Sequence, residues 1–190
     1  MATETLNPNA DGTTNGFGLS EGSSRFALVN DGDDNTYVYG GNIVGAQWWY
    51  IRIDGSNLAD DDVEPGSNNN GSVAAFTRPI NSTNFSGCPT LTKDLITSLE
   101  IGMRSGGGPG AATQFFNLDN PTFPDDATIN SATIHGRLSW ASATTKMYEI
   151  SLVVDYTSAG YGNDVVGIDS GDISTVSGFA TADISEVIGM

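Results

Sequence analysis

Histidine and cysteine occur once each in these 190 residues, as His135 and Cys88, and lysine plus arginine number only 7. A single histidine excludes a multi-histidine zinc site, and any catalytic triad would have to be built on His135. A single cysteine excludes a disulfide framework. Cys88 stands in Ser86-Gly87-Cys88-Pro89 with no partner constellation, and reads as a small, partly buried residue. The few cations face 23 acidic residues, for a formal charge of −16. That balance argues against binding DNA or RNA through phosphates, and against anionic membrane surfaces. Long apolar runs are also missing, so no segment has the length and hydropathy of a membrane-spanning helix. The first eight residues carry neither a basic nor an apolar region, and no secretory signal is expected.

What is present is turn chemistry punctuated by a few apolar strands. The segment Gln47-Trp48-Trp49-Tyr50-Ile51-Arg52-Ile53 alternates with period two. Trp49, Ile51 and Ile53 share one face, and Trp48, Tyr50 and Arg52 the other. In residues 147–156, Tyr148, Ile150, Leu152, Val154 and Tyr156 are expected to face inward, with Glu149, Ser151 and Asp155 outward. Residues 128–140 set Ala132, Ile134, Gly136, Leu138 and Trp140 against Thr133, His135, Arg137 and Ser139. These two segments predict a hairpin through 141–145. Further strands are expected over 25–30, 36–39, 95–103 and 114–118. The stripe Leu91, Leu95, Leu99 also fits a helix, but the longer alternation and Gly102 favour a strand.

Antiparallel pairing of such strands implies an all-β fold, a β-sandwich of jelly-roll-like type. Residues 1–15 read as an extended N-terminal arm, 16–157 as the sandwich domain, and 158–190 as a C-terminal arm or edge strands. The polar stretch 54–71, with Asp60-Asp61-Asp62 and Asn68-Asn69-Asn70, reads as an exposed loop.

The residues offer little chemistry. The run Gly106-Gly107-Gly108-Pro109-Gly110 lacks the Gly-Lys-Ser/Thr ending of a phosphate loop. Glu100 and Glu149 lie on polar strand faces, and nothing in the sequence joins them as a hydrolase acid pair. Asp31, Asp33 and Asn35 have one-three-five calcium spacing, but Thr36 and Asn42 stand where an EF-hand needs glycine and glutamate. A looser calcium site at Asp31, Asp33 or Asp34 and a turn that caps its own backbone both remain open. The best candidate binding surface is Trp48, Tyr50 and Arg52, whose aromatic faces and guanidinium suit sugars or a protein partner. Burial of both faces of this strand is the competing reading.

Three phrases resemble tailed-phage virion proteins of the β-sandwich type. They are Thr5-Leu6-Asn7-Pro8-Asn9-Ala10-Asp11-Gly12, Asp33-Asp34-Asn35-Thr36-Tyr37-Val38 and Val153-Val154-Asp155-Tyr156. The resemblance implies a structural, head-decoration or fibre component, and brings no catalytic or ligand residue with it. The leading expectation is therefore a non-enzymatic capsid decoration or cement protein on the virion surface. Its partners would be the major capsid protein and copies of itself, with no cofactor and no metal. The alternative is a carbohydrate-binding module or fibre domain using Trp48 and Tyr50, whose partners would be glycans.

Overall fold

A computed structural model describes residues 1–20, 22, 24–33, 35–41, 47–59, 72–105, 112–124, 127–141, 144–158, 175–176 and 179–180. In chain order the elements are β1 (Ala2–Leu6), β2 (Pro8–Asn15), β3 (Phe17–Leu19), α1 (Arg25–Leu28), β4 (Val38–Gly41) and β5 (Gln47–Ile53). There follow β6 (Ser56–Ala59), β7 (Ala74–Pro79), α2 (Lys93–Ser98), β8 (Glu100–Ser105) and β9 (Ala112–Leu118). Last come β10 (Thr128–Ala141), β11 (Thr144–Thr157), β12 (Thr175–Val176) and β13 (Phe179–Ala180).

Two antiparallel sheets pack face to face. One runs β3-β4-β11-β10-β7 with β1 also on β11, and the other runs β2-β9-β8-β5-β6. The expected sandwich is thus present, although this strand order does not establish a jelly roll. The interior follows the period of two. Trp49 and Ile51 on β5, Ile101 and Met103 on β8, and Phe116 on β9 meet Ile134, Leu138, Ile150, Leu152 and Val154 from the opposite sheet. Trp49 stacks on Phe76 of β7, with centroids 3.9 Å apart and planes 19° apart. Phe76 in turn lies across Gly136, its register partner on β10, where a Cβ would overlap the ring. A glycine between bulky neighbours on the inner face therefore makes the slot that lets two aromatic rings stack between the sheets.

The long strand β11 has one edge completed in pieces. β1 pairs with Leu152–Tyr156, the Val29 carbonyl accepts the Ile150 N–H at 3.2 Å, and β4 pairs with Thr144–Met147. Residues 1–15, expected as an arm, are consequently built into both sheets, as β1 beside β11 and β2 beside β9. Their polarity belongs to outward positions, while Leu6 anchors β1 in the core at 1% exposure. The Thr3 hydroxyl donates to Asp155 at 2.7 Å, and the Ser131 hydroxyl donates to the other oxygen of the same carboxylate at 2.8 Å. These two bonds, Thr3 first, hold the Asp155 carboxyl below its ordinary value. A depressed folded value stabilises the fold above the ordinary aspartate pKa of about 3.9. That contribution is lost as pH falls through the depressed value. Replacing Thr3 by valine should move the Asp155 midpoint upward in a carboxyl-carbon NMR titration, and an unmoved midpoint would refute this account.

Four further sequence expectations are corrected. Residues 25–28 form a helical turn rather than a strand, because the Asp11 carboxylate accepts the Arg25 and Phe26 N–H groups at 3.2 and 2.7 Å. Residues 95–98 belong to α2, which starts where the Thr92 hydroxyl accepts the Leu95 N–H at 3.2 Å. Strand β8 begins only at Glu100. Within the expected loop 54–71, Asp54 (φ 49°) and Gly55 (φ 78°) make the two-residue turn of a β5–β6 hairpin. Its remainder, 60–71, lies outside the described residues, as do 106–111 and most of the expected C-terminal arm, from which only Ser158, β12 and β13 are described.

The fourth correction concerns Tyr148. The β10–β11 register passes from Arg137↔Glu149 to Leu138↔Met147, leaving Tyr148 as an extra residue on β11. This bulge turns Met147 into the core and takes Tyr148 out of it. Tyr148 is buried all the same, against Tyr37 and with its hydroxyl 3.1 Å from the Ser139 hydroxyl.

Candidate functional site

The outer face of the five-stranded sheet carries the residues singled out in β5. Tyr50 and Arg52 both lie there, half-buried, whereas the side chain of Trp48 is outside the described set. Their cross-strand partners on β8 are Gly102 and Glu100, and the next strand adds Phe115 and Asn117. Phe115 is the adjacent neighbour of core-facing Phe116, so the pleat turns it to the other face. It is only 1% exposed, because Tyr50, Arg52 and β2 cover it.

The contacts on this face form one network. The Arg52 guanidinium lies 3.3 Å from the Glu100 carboxylate and 5.9 Å from the Phe115 ring centre. The Arg104 guanidinium donates to the Tyr50 hydroxyl at 3.4 Å. Tyr50 meets Phe115 edge-on at 6.3 Å. The β2 backbone closes over the group at a register shift between Asp11 and Thr14. At Gly12 it comes so close that a Cβ would lie 2.8 Å from a Glu100 oxygen and 3.0 Å from the Phe115 carbonyl oxygen. Beside this network opens a depression of about 340 Å³ lined by Arg52, Asp54, Gly55, Ser98, Glu100 and Asn117. Its groups donate and accept hydrogen bonds at fixed positions. Glu100 is held in place by the Arg52 guanidinium, an arrangement that suits polar recognition.

The other sequence candidates are dispersed. Glu149 is on the opposite sheet, 3.7 Å from Arg137, so Glu100 and Glu149 share no cleft. His135 is exposed in a flat row with Thr77 and Ser151. Gly18-Leu19-Ser20-Glu21-Gly22 has the Gly-x-Ser-x-Gly spacing of a nucleophile elbow, a motif missing from the sequence expectations. Ser20 lacks the positive φ of such an elbow, and its hydroxyl accepts the Tyr37 N–H at 2.9 Å. Strands β4 and β11 separate that edge from His135 on β10.

In the aspartate loop, the two Asp31 oxygens accept the Asp33 N–H at 2.9 Å and the Thr36 hydroxyl at 2.6 Å. Asp33 likewise accepts the Asn35 N–H at 2.9 Å. Of the two readings open for this loop, the geometry is that of a turn capping its own backbone. Asp34 lies outside the described residues. Cys88 is buried at the Phe85–Pro89 turn, and burial pushes its thiol pKa up, which disfavours the reactive thiolate. Among the described residues no group of three or more histidine, cysteine or acidic side chains could hold a metal ion.

A second aromatic group, unforeseen in the sequence, occupies the outer face of the six-stranded sheet. Tyr37 stands 6.2 Å from Tyr39 and 5.4 Å from Tyr148, and the Lys146 ammonium lies 4.2 Å from the centre of its ring. The alternation Tyr37-Val38-Tyr39 was the available signal, since Val38 is fully buried and its neighbours must face away.

All seven cations are engaged within the molecule. Arg25 holds Asp11 and the Phe17 carbonyl, Arg52 holds Glu100, Arg104 holds Tyr50, and Arg137 holds Glu149. Lys93 donates to the Phe123 carbonyl, Lys146 covers Tyr37, and Arg78 is engaged as well. The acidic surplus is therefore carried by the rest of the chain. Comparison with protein-family models, with characterised proteins and with solved structures finds no match to this chain.

Proposed function

We propose that this protein is a non-enzymatic virion component, a decoration or cement protein that docks its acidic surface on the outside of a capsid lattice. The observation that carries this reading is the segregation of charge. Every cation is engaged on a sheet face or helix, while 23 acidic residues against 7 basic leave an excess that includes the exposed Asp31, Asp33 and Asp54. Such a surface repels its own kind and nucleic acid, and is attracted to a cationic lattice. The dispersed carboxylates and the resemblance of three sequence phrases to phage sandwich proteins support the same reading. Repeated weak contacts suffice on a lattice, because each is made at high effective concentration.

The first test is co-sedimentation with purified capsids. Binding should saturate at hundreds of copies per particle and weaken steeply as salt screens the contact. Removal of the protein should lower the temperature at which the particle opens. A few copies per particle would place it in a fibre or tail, and capsids equally stable without it would end the cement role.

A second reading, saccharide binding, is favoured by the polar depression beside Tyr50 and Arg52. It expects oligosaccharide to shift the tryptophan fluorescence, and both Arg52→Ala and Trp48→Ala to abolish the shift. A response unchanged in both variants would dismiss that site.

A further inference from the structure

The tyrosine group on the outer face of the six-stranded sheet has a shape and an occupant that bear on recognition. Three rings meet at Tyr37, inclined by 66° to Tyr39 and by 59° to Tyr148. Inclined rings make a corner, whereas stacking of a sugar requires a flat platform. A corner of electron-rich faces suits a cation. One is already there: the Lys146 ammonium, whose residue is the direct cross-strand partner of Tyr39.

The parts differ in freedom. Tyr148 is only 6% exposed and fixed through Ser139. Tyr39 is 38% exposed, the one aromatic among the exposed large hydrophobic side chains of the described residues. The hydroxyl end of its ring lies over the bare backbone of Gly18, where a Cβ would stand 2.6 Å from the ring. Lys146 reaches Tyr37 on a flexible four-carbon stem, and can leave it for water at little cost. The net charge of −16 raises the local concentration of any cation and lowers that of any anion.

We infer that Tyr37, Tyr39 and Tyr148 form a recognition corner for an organic cation, with Lys146 as a resident occupant that an incoming ammonium or guanidinium replaces. The natural ligand would be a lysine or arginine side chain of the surface on which the protein docks. This identity rests on the docking proposal, whereas cation binding by the corner itself can be measured on the free protein.

The test titrates the full chain with tetramethylammonium chloride, using sodium chloride at equal ionic strength as the control. Tyrosine ring resonances are followed by NMR in the wild type and in Lys146→Gln and Tyr39→Leu variants. Tetramethylammonium should shift the Tyr37 and Tyr39 rings beyond the sodium control. Its affinity should rise about fivefold in Lys146→Gln, which removes the competitor, and fall by a similar factor in Tyr39→Leu. Equal affinity in wild type and Lys146→Gln would overturn the role of Lys146. Rings that respond to tetramethylammonium no more than to sodium in either protein would overturn the corner. A response to maltotriose alone would reassign it to saccharide. A corner that binds the cation on a protein that ignores capsids would leave this inference standing and remove the docking proposal.

Discussion

Trp49→Ala should lower the unfolding free energy by about 4 kcal/mol, the cost of emptying a large aromatic site in a packed core. Trp49 is fully buried, stacked on Phe76, and in register with Met103 between the two sheets. Removing it strips the ring stacked on Phe76, which itself fills the slot that Gly136 opens, and rigid strands on both sides limit how far the cavity can collapse. For a domain of this length the melting temperature should fall by roughly 8–16 °C. Trp49→Phe should cost much less. Phenylalanine keeps the stack, and it removes an indole N–H that has no acceptor among the described residues. Chemical denaturation of the three proteins, followed by circular dichroism, decides it. A loss below about 1 kcal/mol for the alanine variant would mean that the sheets do not close on Trp49 as described.

Gly102→Ala is the second large effect, and it tests the opposite face. A Cβ at Gly102 would overlap the Gln114 carbonyl oxygen and come within 2.9 Å of the Phe115 Cα and ring. Those are atoms of a neighbouring central strand, so a flexible side chain cannot simply move aside. The expected loss is about 3 kcal/mol, at the upper end for overpacking. Arg104→Ala, on the same face and two residues along β8, should cost no more than about 1 kcal/mol as a half-exposed polar contact. Equal losses in the two variants would show that the face is held by its polar network rather than by backbone closeness.

Where one face of a strand meets the core, the sequence was readable. The pattern of β5 placed Trp49 and Ile51 inside and Tyr50 and Arg52 outside, as found. The failures share a cause, in that each depended on a partner distant in sequence. Residues 25–28 alternate like a strand, but Asp11 caps them from another element. Tyr148 has inward parity until a bulge opposite Arg137 and Leu138 shifts it. Residues 2–15 look too polar for a sheet because their pairing is made by the backbone, with Leu6 as the apolar anchor. The leucine stripe at 91, 95 and 99 satisfied two periods over a short span, and Thr92 decided between them. For the site, Phe115-Phe116 held an unread signal: adjacent aromatics on a strand must serve opposite faces. The cation corner needed the fold, since Tyr37 and Tyr148 meet only through the β4–β11 pairing.

The piecemeal edge of β11 also sets an order of events in time. β1, Val29 and β4 are synthesised more than 100 residues before the strand that receives them. Until residues 144–157 emerge from the ribosome, the backbone groups of β1, Val29 and β4 that face β11 stay open. Contacts of such long sequence separation form slowly and leave strands exposed meanwhile. The acidic surplus acts at this stage as well. Nascent chains that repel one another are kept from pairing their waiting strands until the last long strand arrives.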